Sequence, residues 1–198
     1  MTELTAWNDR YRDGNVPWDT GRPSSELQAV LREQSIEPCR ALDLGCGTGT
    51  NSVWLAQQGF EVTGIDVAPL AVERAEERAR AAGVNARFLA ADILNLPDPD
   101  RPFSFFLDRG CYHAVRRGAP GLYASAVARQ LAPGARGLIL AGNANETHDP
   151  GPPVVTEEQI RTEIGAEFEI LDLHEFRFDE AAGVPARFLG WSCLVAKR

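Results

Sequence analysis

The chain has 198 residues, enough for one domain that buries roughly 70% of its unfolded surface without disulfide or metal staples. Lys and Arg total 20 against 28 Asp and Glu, a net charge of −8 that lacks the clustered basic excess a phosphate backbone or anionic membrane needs. Four scattered cysteines, no zinc-ligand spacing, no apolar run of membrane length and no signal-peptide core point to a cytoplasmic protein with reduced thiols, no metal, no nucleic acid and no membrane partner.

Residues 1–37 show no strand–helix rhythm; within them Trp7, Tyr11 and Trp18 suit a helix that lays its aromatics on a core. Cys39 to Leu44 is the first predicted strand and runs into Gly45, Gly47 and Gly49. A helix is predicted from Asn51 to Gln58, closed by Gly59. Phe60 to Asp66 is a second strand, after which Pro69 suits the first turn of a helix over Leu70 to Ala82 that ends at Gly83. Ala86 to Ala90 and Phe103 to Asp108 are the third and fourth strands. Gly121 to Leu131 reads as a helix stopped by Pro133 and Gly134, and Gly137 to Ala141 as a fifth strand. Thr156 with Gln159 forms a capping-box pattern that opens another helix. Glu167 to Phe176 and Phe188 to Ala196 follow with no helix between them, which makes an antiparallel hairpin at one edge.

Strands alternating with helices imply right-handed crossovers and an α/β fold. The expected architecture is a Rossmann-like, seven-stranded, mostly parallel sheet with an antiparallel edge hairpin, helices on both faces and an N-terminal lid helix. The whole chain is read as one domain, with residues 1–37 as the covering segment and residues 38–198 as the core. Ligands of open α/β sheets lie beyond the carboxyl ends of the strands. Residues 1–37 and the Pro-rich loop from Asn143 to Pro153 are therefore candidates to cover such a ligand.

The densest signal lies where the first strand ends, at Asp43-Leu44-Gly45-Cys46-Gly47-Thr48-Gly49. Alternate glycines let the backbone turn sharply and approach a ligand with no Cβ in the way. The helix that follows presents free N–H groups to a ligand carrying negative charge. A dinucleotide site needs G-x-G-x-x-G. Counted from Gly45 the last position is Thr50, and counted from Gly47 it is Ser52, so a nicotinamide-dependent oxidoreductase fits poorly. Asp66, closing the second strand, is placed to accept from a ribose diol. Asp92, in Ala91-Asp92-Ile93 after the third strand, is placed to accept from an adenine amino group.

This order of motifs resembles the class I S-adenosylmethionine-dependent methyltransferases over about residues 38–142. Two further patterns narrow the resemblance: Trp7-x-x-x-Tyr11-x-x-Gly14-x-x-x-Trp18 followed by Asp19-Thr20-Gly21-Arg22-Pro23, and Asp108-Arg109-Gly110-Cys111-Tyr112-His113 after the fourth strand. Both are similar to the thiopurine, thiol and halide methyltransferase group with its tellurite-resistance relatives. The resemblance implies S-adenosyl-L-methionine as cofactor and S-adenosyl-L-homocysteine as product. It implies that Gly45, Cys46, Gly47, Thr48 and Gly49 hold the cofactor's amino-acid end, Asp66 its ribose and Asp92 its adenine, with Asp43, Asn51, Val67 and Ile93 also among the cofactor-binding residues. Trp7, Tyr11 and Trp18 would fold over it, with Asp108 and Arg109 beside it. Ser104 departs from the acid expected in the fourth strand.

The expected activity is methyl transfer to a small-molecule acceptor, with a thiol sulfur favoured because a thiolate needs little help from a base. His113 is the candidate base if the acceptor is instead an oxygen or nitrogen. Asp108 is a candidate to hold Arg109 or the acceptor, shaping the site rather than moving a proton. Cys111 has no activating neighbour in sequence and reads as a small packed residue; His148 and Asp149 read as solvated turn residues. A cofactor-binding regulator without turnover is a further alternative. The parallel sheet should be complete within one chain, so a monomer is expected.

Overall fold

Four segments are buried almost throughout, the pattern of strands covered by helices on both sides. These are β1 (Arg40–Leu44), β2 (Glu61–Asp66), β4 (Phe103–Arg109) and the later part of β5 (Leu131–Asn143); the more exposed β3 (Ala86–Ala90) closes one edge. They pair in parallel in the order β3-β2-β1-β4-β5. The computed structural model describes residues 3–146, 151–181, 183–184 and 186–198. The crossovers run through α3 (Thr50–Gln57), α4 (Pro69–Ala82) and α6 (Leu122–Arg129), with the single turn α5 (Tyr112–Val115) following β4. Among the described residues no helix is long and apolar enough to cross a membrane.

The predicted hairpin is present as β7 (Phe168–Arg177) and β8 (Leu189–Lys197), and β8 is the strand that lies against β5. Its sequence is buried almost throughout, while β7 exposes Glu169, Asp172 and Glu175. Charges of this kind discourage a further strand from adding to an edge. One face of the sheet packs Leu42, Phe106, Ile139 and Val195 against α6 and α7 (Glu157–Ile164). The other packs Ala41, Phe105, Leu138 and Leu194 against α3 and α2 (Ser25–Glu33). Gly137 makes room for a ring, because a Cβ there would lie 1.8 Å from Phe106.

Three details differ from the sequence reading. The strand β5 begins at Leu131 instead of Gly137, with Pro133 and Gly134 inside a register shift opposite Phe103 and Phe105. Proline lacks the N–H that a regular ladder needs, and a bulge removes that need. A two-residue strand, β6 (Val154–Val155), directly follows the expected Pro-rich loop and pairs with Gly142 and Asn143 of β5, making eight strands among the described residues. Residues 1–37 contain two helices, α1 (Glu3–Arg12) against α4, and α2, which buries Leu27, Val30 and Leu31 in the core.

Candidate active site

β1 ends in a turn whose three glycines all adopt left-handed backbone angles, with φ of +65° at Gly45, +55° at Gly47 and +79° at Gly49. Gly45 has a second constraint, since a Cβ there would stand 2.7 Å from the Cβ of Cys111. The turn is pinned to β2 at two points: Cys46 N–H donates to the Ile65 carbonyl at 2.9 Å, and Gly47 N–H donates to Asp66 Oδ2 at 2.9 Å. The other oxygen of Asp66 accepts from Ala68 N–H at 2.9 Å. A carboxylate offers about four acceptor directions, so room remains for further donors. Burial raises the pKa of Asp66, against the pull of these amides. Behind the turn, the Asp43 carboxylate accepts from the Ser52 hydroxyl. Burial pushes Asp43 up to about 7; the Ser52 bond and the charge of Arg109 oppose the shift, while Asp108 and Asp66 reinforce it.

The N-terminal aromatics meet this turn. Tyr11 is buried, and its hydroxyl accepts from the Trp18 indole N–H at 3.3 Å. That hydroxyl stands 3.0 Å from where a Cβ on Gly47 would be. Trp18 packs edge-on against Trp7 at 5.5 Å and Tyr11 at 6.1 Å, with the Arg10 guanidinium 4.2 Å over its ring. Asn8 fastens α1 by accepting the Leu70 N–H at 3.0 Å. Asp19 accepts from the Thr48 hydroxyl at 2.7 Å and from the Thr50 hydroxyl at 3.4 Å. Arg109 donates from Nη1 to the Trp18 carbonyl at 3.2 Å.

Between these groups lies a cleft of about 440 Å³, its open mouth included. Of the residues singled out in the sequence, Trp18, Asp43, Gly45, Cys46, Gly47, Thr48, Asn51 and Arg109 line it. Trp7, Tyr11, Gly49, Asp66 and Val67 lie next to that cleft without forming its walls. Asp92 is exposed, accepts from Leu94 N–H at 2.9 Å and Asn95 Nδ2 at 2.7 Å, and so caps the short 3-10 turn that begins at the buried Ile93. The cleft also includes Asp19, Thr20, Arg22 and Thr50, to which the sequence reading gave no role. Gly21 and Pro23, turn formers directly after Trp18, were the available signal. His148 and Asp149 lie outside the described residues.

Asp108 lies near the end of β4 and His113 in α5, the turn that follows it. Asp108 is fully buried and accepts from the Tyr123 hydroxyl at 2.7 Å, Cys111 N–H at 2.9 Å and Tyr112 N–H at 2.9 Å. Burial lifts it to about 6 against those donors. The Gly142 N–H donates to His113 Nδ1 at 2.8 Å. An amide can only donate, so Nδ1 holds a lone pair and the neutral ring carries its proton on Nε2. Burial, aided by the charge of Arg109, lowers His113 to about 4.

The profile of a family described as Thiopurine S-methyltransferase (TPMT) matches residues 2–182. The chain belongs to this family. The methyltransferase is 30% identical over 175 residues to a thiopurine S-methyltransferase of Bordetella petrii, covering 78% of each chain. It is 28% identical over 164 residues to the 2-heptyl-1-hydroxyquinolin-4(1H)-one methyltransferase of Mycobacteroides abscessus, covering 81% of this chain and 72% of that one. Its fold matches, with TM-score 0.85 and 24% identity over 99% and 92% of the two chains, a structure solved in work on the conversion of a disulfide bond into a thioacetal group during echinomycin biosynthesis. The protein is thus an S-adenosylmethionine-dependent methyltransferase acting on small molecules.

Proposed function

We propose that this methyltransferase acts on the sulfur of a small thiol and works by positioning, without a protein base. The observation that carries this reading is His113. Its Nδ1 is engaged by the Gly142 amide and its Nε2 already bears the proton, so neither nitrogen can take a proton from an acceptor. Asp108 is enclosed and saturated with donors. A thiol with a pKa near 8.5 or below supplies its own anion, whereas a phenol near 10 benefits more from a base.

The residues present fit the cofactor. The glycine turn leaves its backbone bare, Asp66 has unused acceptor directions for a ribose diol, and Asp92 stands at the end of β3 where an adenine amino group could donate. Asp43 has one oxygen without a hydrogen bond among the described residues, where an ammonium could donate. S-adenosylmethionine supplies a methyl group already activated by its sulfonium. The π faces of Trp7, Tyr11 and Trp18 favour a cation by about 0.5–2 kcal/mol per well-placed ring. Arg109, desolvated and bonded to Trp18 through Nη1, would draw an anionic acceptor towards the same cleft. Holding the reacting groups in line can supply ~7–11 kcal/mol of the barrier.

Transfer of labelled methyl to matched thiols, phenols and amines tests the reading. Turnover of an aryl thiol but not its phenol analogue is expected. His113→Asn keeps an acceptor for the Gly142 amide and should hold thiol turnover within about tenfold, whereas loss of a true base costs roughly 10²–10⁴-fold. A larger loss, or a preference for the phenol, overturns the proposal. The second reading is an oxygen acceptor, favoured by the relative named for a hydroxyquinolinone; a histidine base would then require Nδ1 to leave Gly142.

The buried Asp43 also gives cofactor binding a pH dependence. An ammonium pairs with the carboxylate, so binding draws off the proton that burial retains up to about pH 7. Affinity should be full above that pH and fall as pH drops through it, by at most about tenfold per unit. Calorimetric titration with S-adenosylhomocysteine should show this slope in the wild type and lose it in Asp43→Asn. A flat wild-type profile would remove Asp43 from the ammonium site.

A further inference from the structure

The turn that carries Arg109 is tied down on several sides. Gly110 takes a φ of +89°, and its N–H donates to the Leu140 carbonyl of β5 at 2.9 Å. Asp108 folds back across the turn and accepts from the amides of Cys111 and Tyr112, both at 2.9 Å. The single turn α5 is fixed on its far side by Glu163 of α7, which accepts from the Tyr112 hydroxyl at 2.9 Å and from Arg116 Nε at 3.0 Å. With β4 and α5 both held, the Asp108 carboxylate is a strut that sets how the backbone passes from one to the other. Arg109 lies within that passage, and its guanidinium reaches the Trp18 carbonyl at 3.2 Å.

The strut is an acid enclosed by the protein. The titratable groups that face Asp108 are Cys111 and Tyr112 from α5, Tyr123 from α6 and Asp43 from β1. An ionised carboxylate in such a place depends on the hydrogen bonds it receives. The amides of Cys111 and Tyr112 would donate whatever side chains those positions carried. The Tyr123 hydroxyl, at 2.7 Å, is the side-chain donor among them. Tyr123 is 1% exposed, with the ring of Tyr112 5.0 Å away, and Asp108 is the hydrogen-bond partner of its hydroxyl. Phenylalanine would fill the same space, so packing does not account for the oxygen.

We propose that Tyr123 is a positioning residue for methyl transfer: its hydroxyl keeps the Asp108 carboxylate ionised and turned towards the start of α5, and so sets where Arg109 stands at the cleft. Neither Tyr123 nor Asp108 exchanges a proton with the reacting groups. A hydrogen bond to the charged form favours that form, so losing the hydroxyl raises the pH at which Asp108 takes a proton. Once protonated, Asp108 has one oxygen turned from acceptor to donor, facing amides that can only donate. The turn then loosens, and Arg109 with it. Turnover is therefore present above the pKa of Asp108 and lost as pH falls through it. This role holds for any acceptor and goes beyond the thiol reading above.

Tyr123→Phe tests it by following Asp108 and the rate together. The isotope-labelled carboxyl carbon of Asp108, assigned by its absence in Asp108→Asn, reports the titration in the complex with S-adenosylhomocysteine. Methyl transfer to the fastest acceptor of the scan above reports function, with S-adenosylmethionine saturating so that the effect of Asp43 on affinity does not enter. Both the resonance and the acid limb of the rate should move up by about one to two pH units, with the rate above the limb within about threefold of wild type. Added to Asp108→Asn, the same tyrosine substitution should move no limb. A ring-fluorinated tyrosine at position 123, a stronger donor of nearly the same shape, should move both readings down and serves if the phenylalanine variant does not fold. A limb that stays in place, or a resonance that moves without the rate, would overturn the proposal. So would a rate lowered equally at every pH, the mark of a residue that only supports the fold.

Discussion

Asp66→Ala should lower the affinity for S-adenosylhomocysteine by about two to three orders of magnitude while the sheet stays folded. The side chain has two tasks. It holds the glycine turn through the amide of Gly47 at 2.9 Å and begins the next element through the amide of Ala68 at 2.9 Å. Its remaining acceptor directions are those proposed for the ribose diol. Hydrogen bonds to a charged group contribute ~1.5–3 kcal/mol each, so two of them account for most of the loss, and a loosened turn adds the rest. The fold should survive because burial already disfavours the ionised carboxylate, and alanine removes that cost along with the bonds. Calorimetry gives the affinity and circular dichroism the fold. An unchanged affinity in a folded variant would remove Asp66 from the site.

Removal of residues 1–18 is the second large effect: turnover should fall by about a hundredfold or more with the sheet intact. The deletion takes away the whole aromatic cluster, the Tyr11 hydroxyl beside Gly47 and the Trp18 carbonyl that holds Arg109. A displacement of about 1 Å at a reacting centre can itself cost a hundredfold. The core should remain, because α2 and its buried Leu27, Val30 and Leu31 are retained. The affinity for S-adenosylhomocysteine should fall less than turnover, since Asp43 and Asp66 stay. Full activity of the shortened chain would show that the aromatics are packing alone.

The turn from Asp43 to Gly49 was legible in the sequence because its physics is local: left-handed backbone needs glycine, and a strand followed by a helix sets the period. The hairpin was legible as a pair, and the charged residues of β7 contrast with the mostly apolar β8, which is the interior strand. The helix α2 was obscured because Leu27, Val30 and Leu31 fall in a segment whose aromatics drew the whole of residues 1–37 into one covering element. The extension of β5 back to Leu131 was hidden by Pro133 and Gly134, which punctuate sequence in the same way at a bulge and at a helix end. The engagement of His113 by Gly142 could not be foreseen, since the two are brought together only by the register of β4 and β5 and by the turn that follows. The contacts of Asp19 are equally non-local, joining residues 29 and 31 positions apart.

The placement of β8 between β5 and β7 bears on how the polypeptide matures during synthesis. Every parallel pairing from β3 through β5 joins residues made before position 144, so that half of the sheet can assemble as the chain emerges. Among the described residues, β7 has no partner in the sheet other than β8, and β5 keeps one open side until the same segment arrives. At translation rates of about 5–20 residues per second, residues 168–177 leave the ribosome seconds before their partner does. The acidic side chains along β7 then guard a temporarily bare strand against its neighbours on a polysome, well before they guard the finished edge.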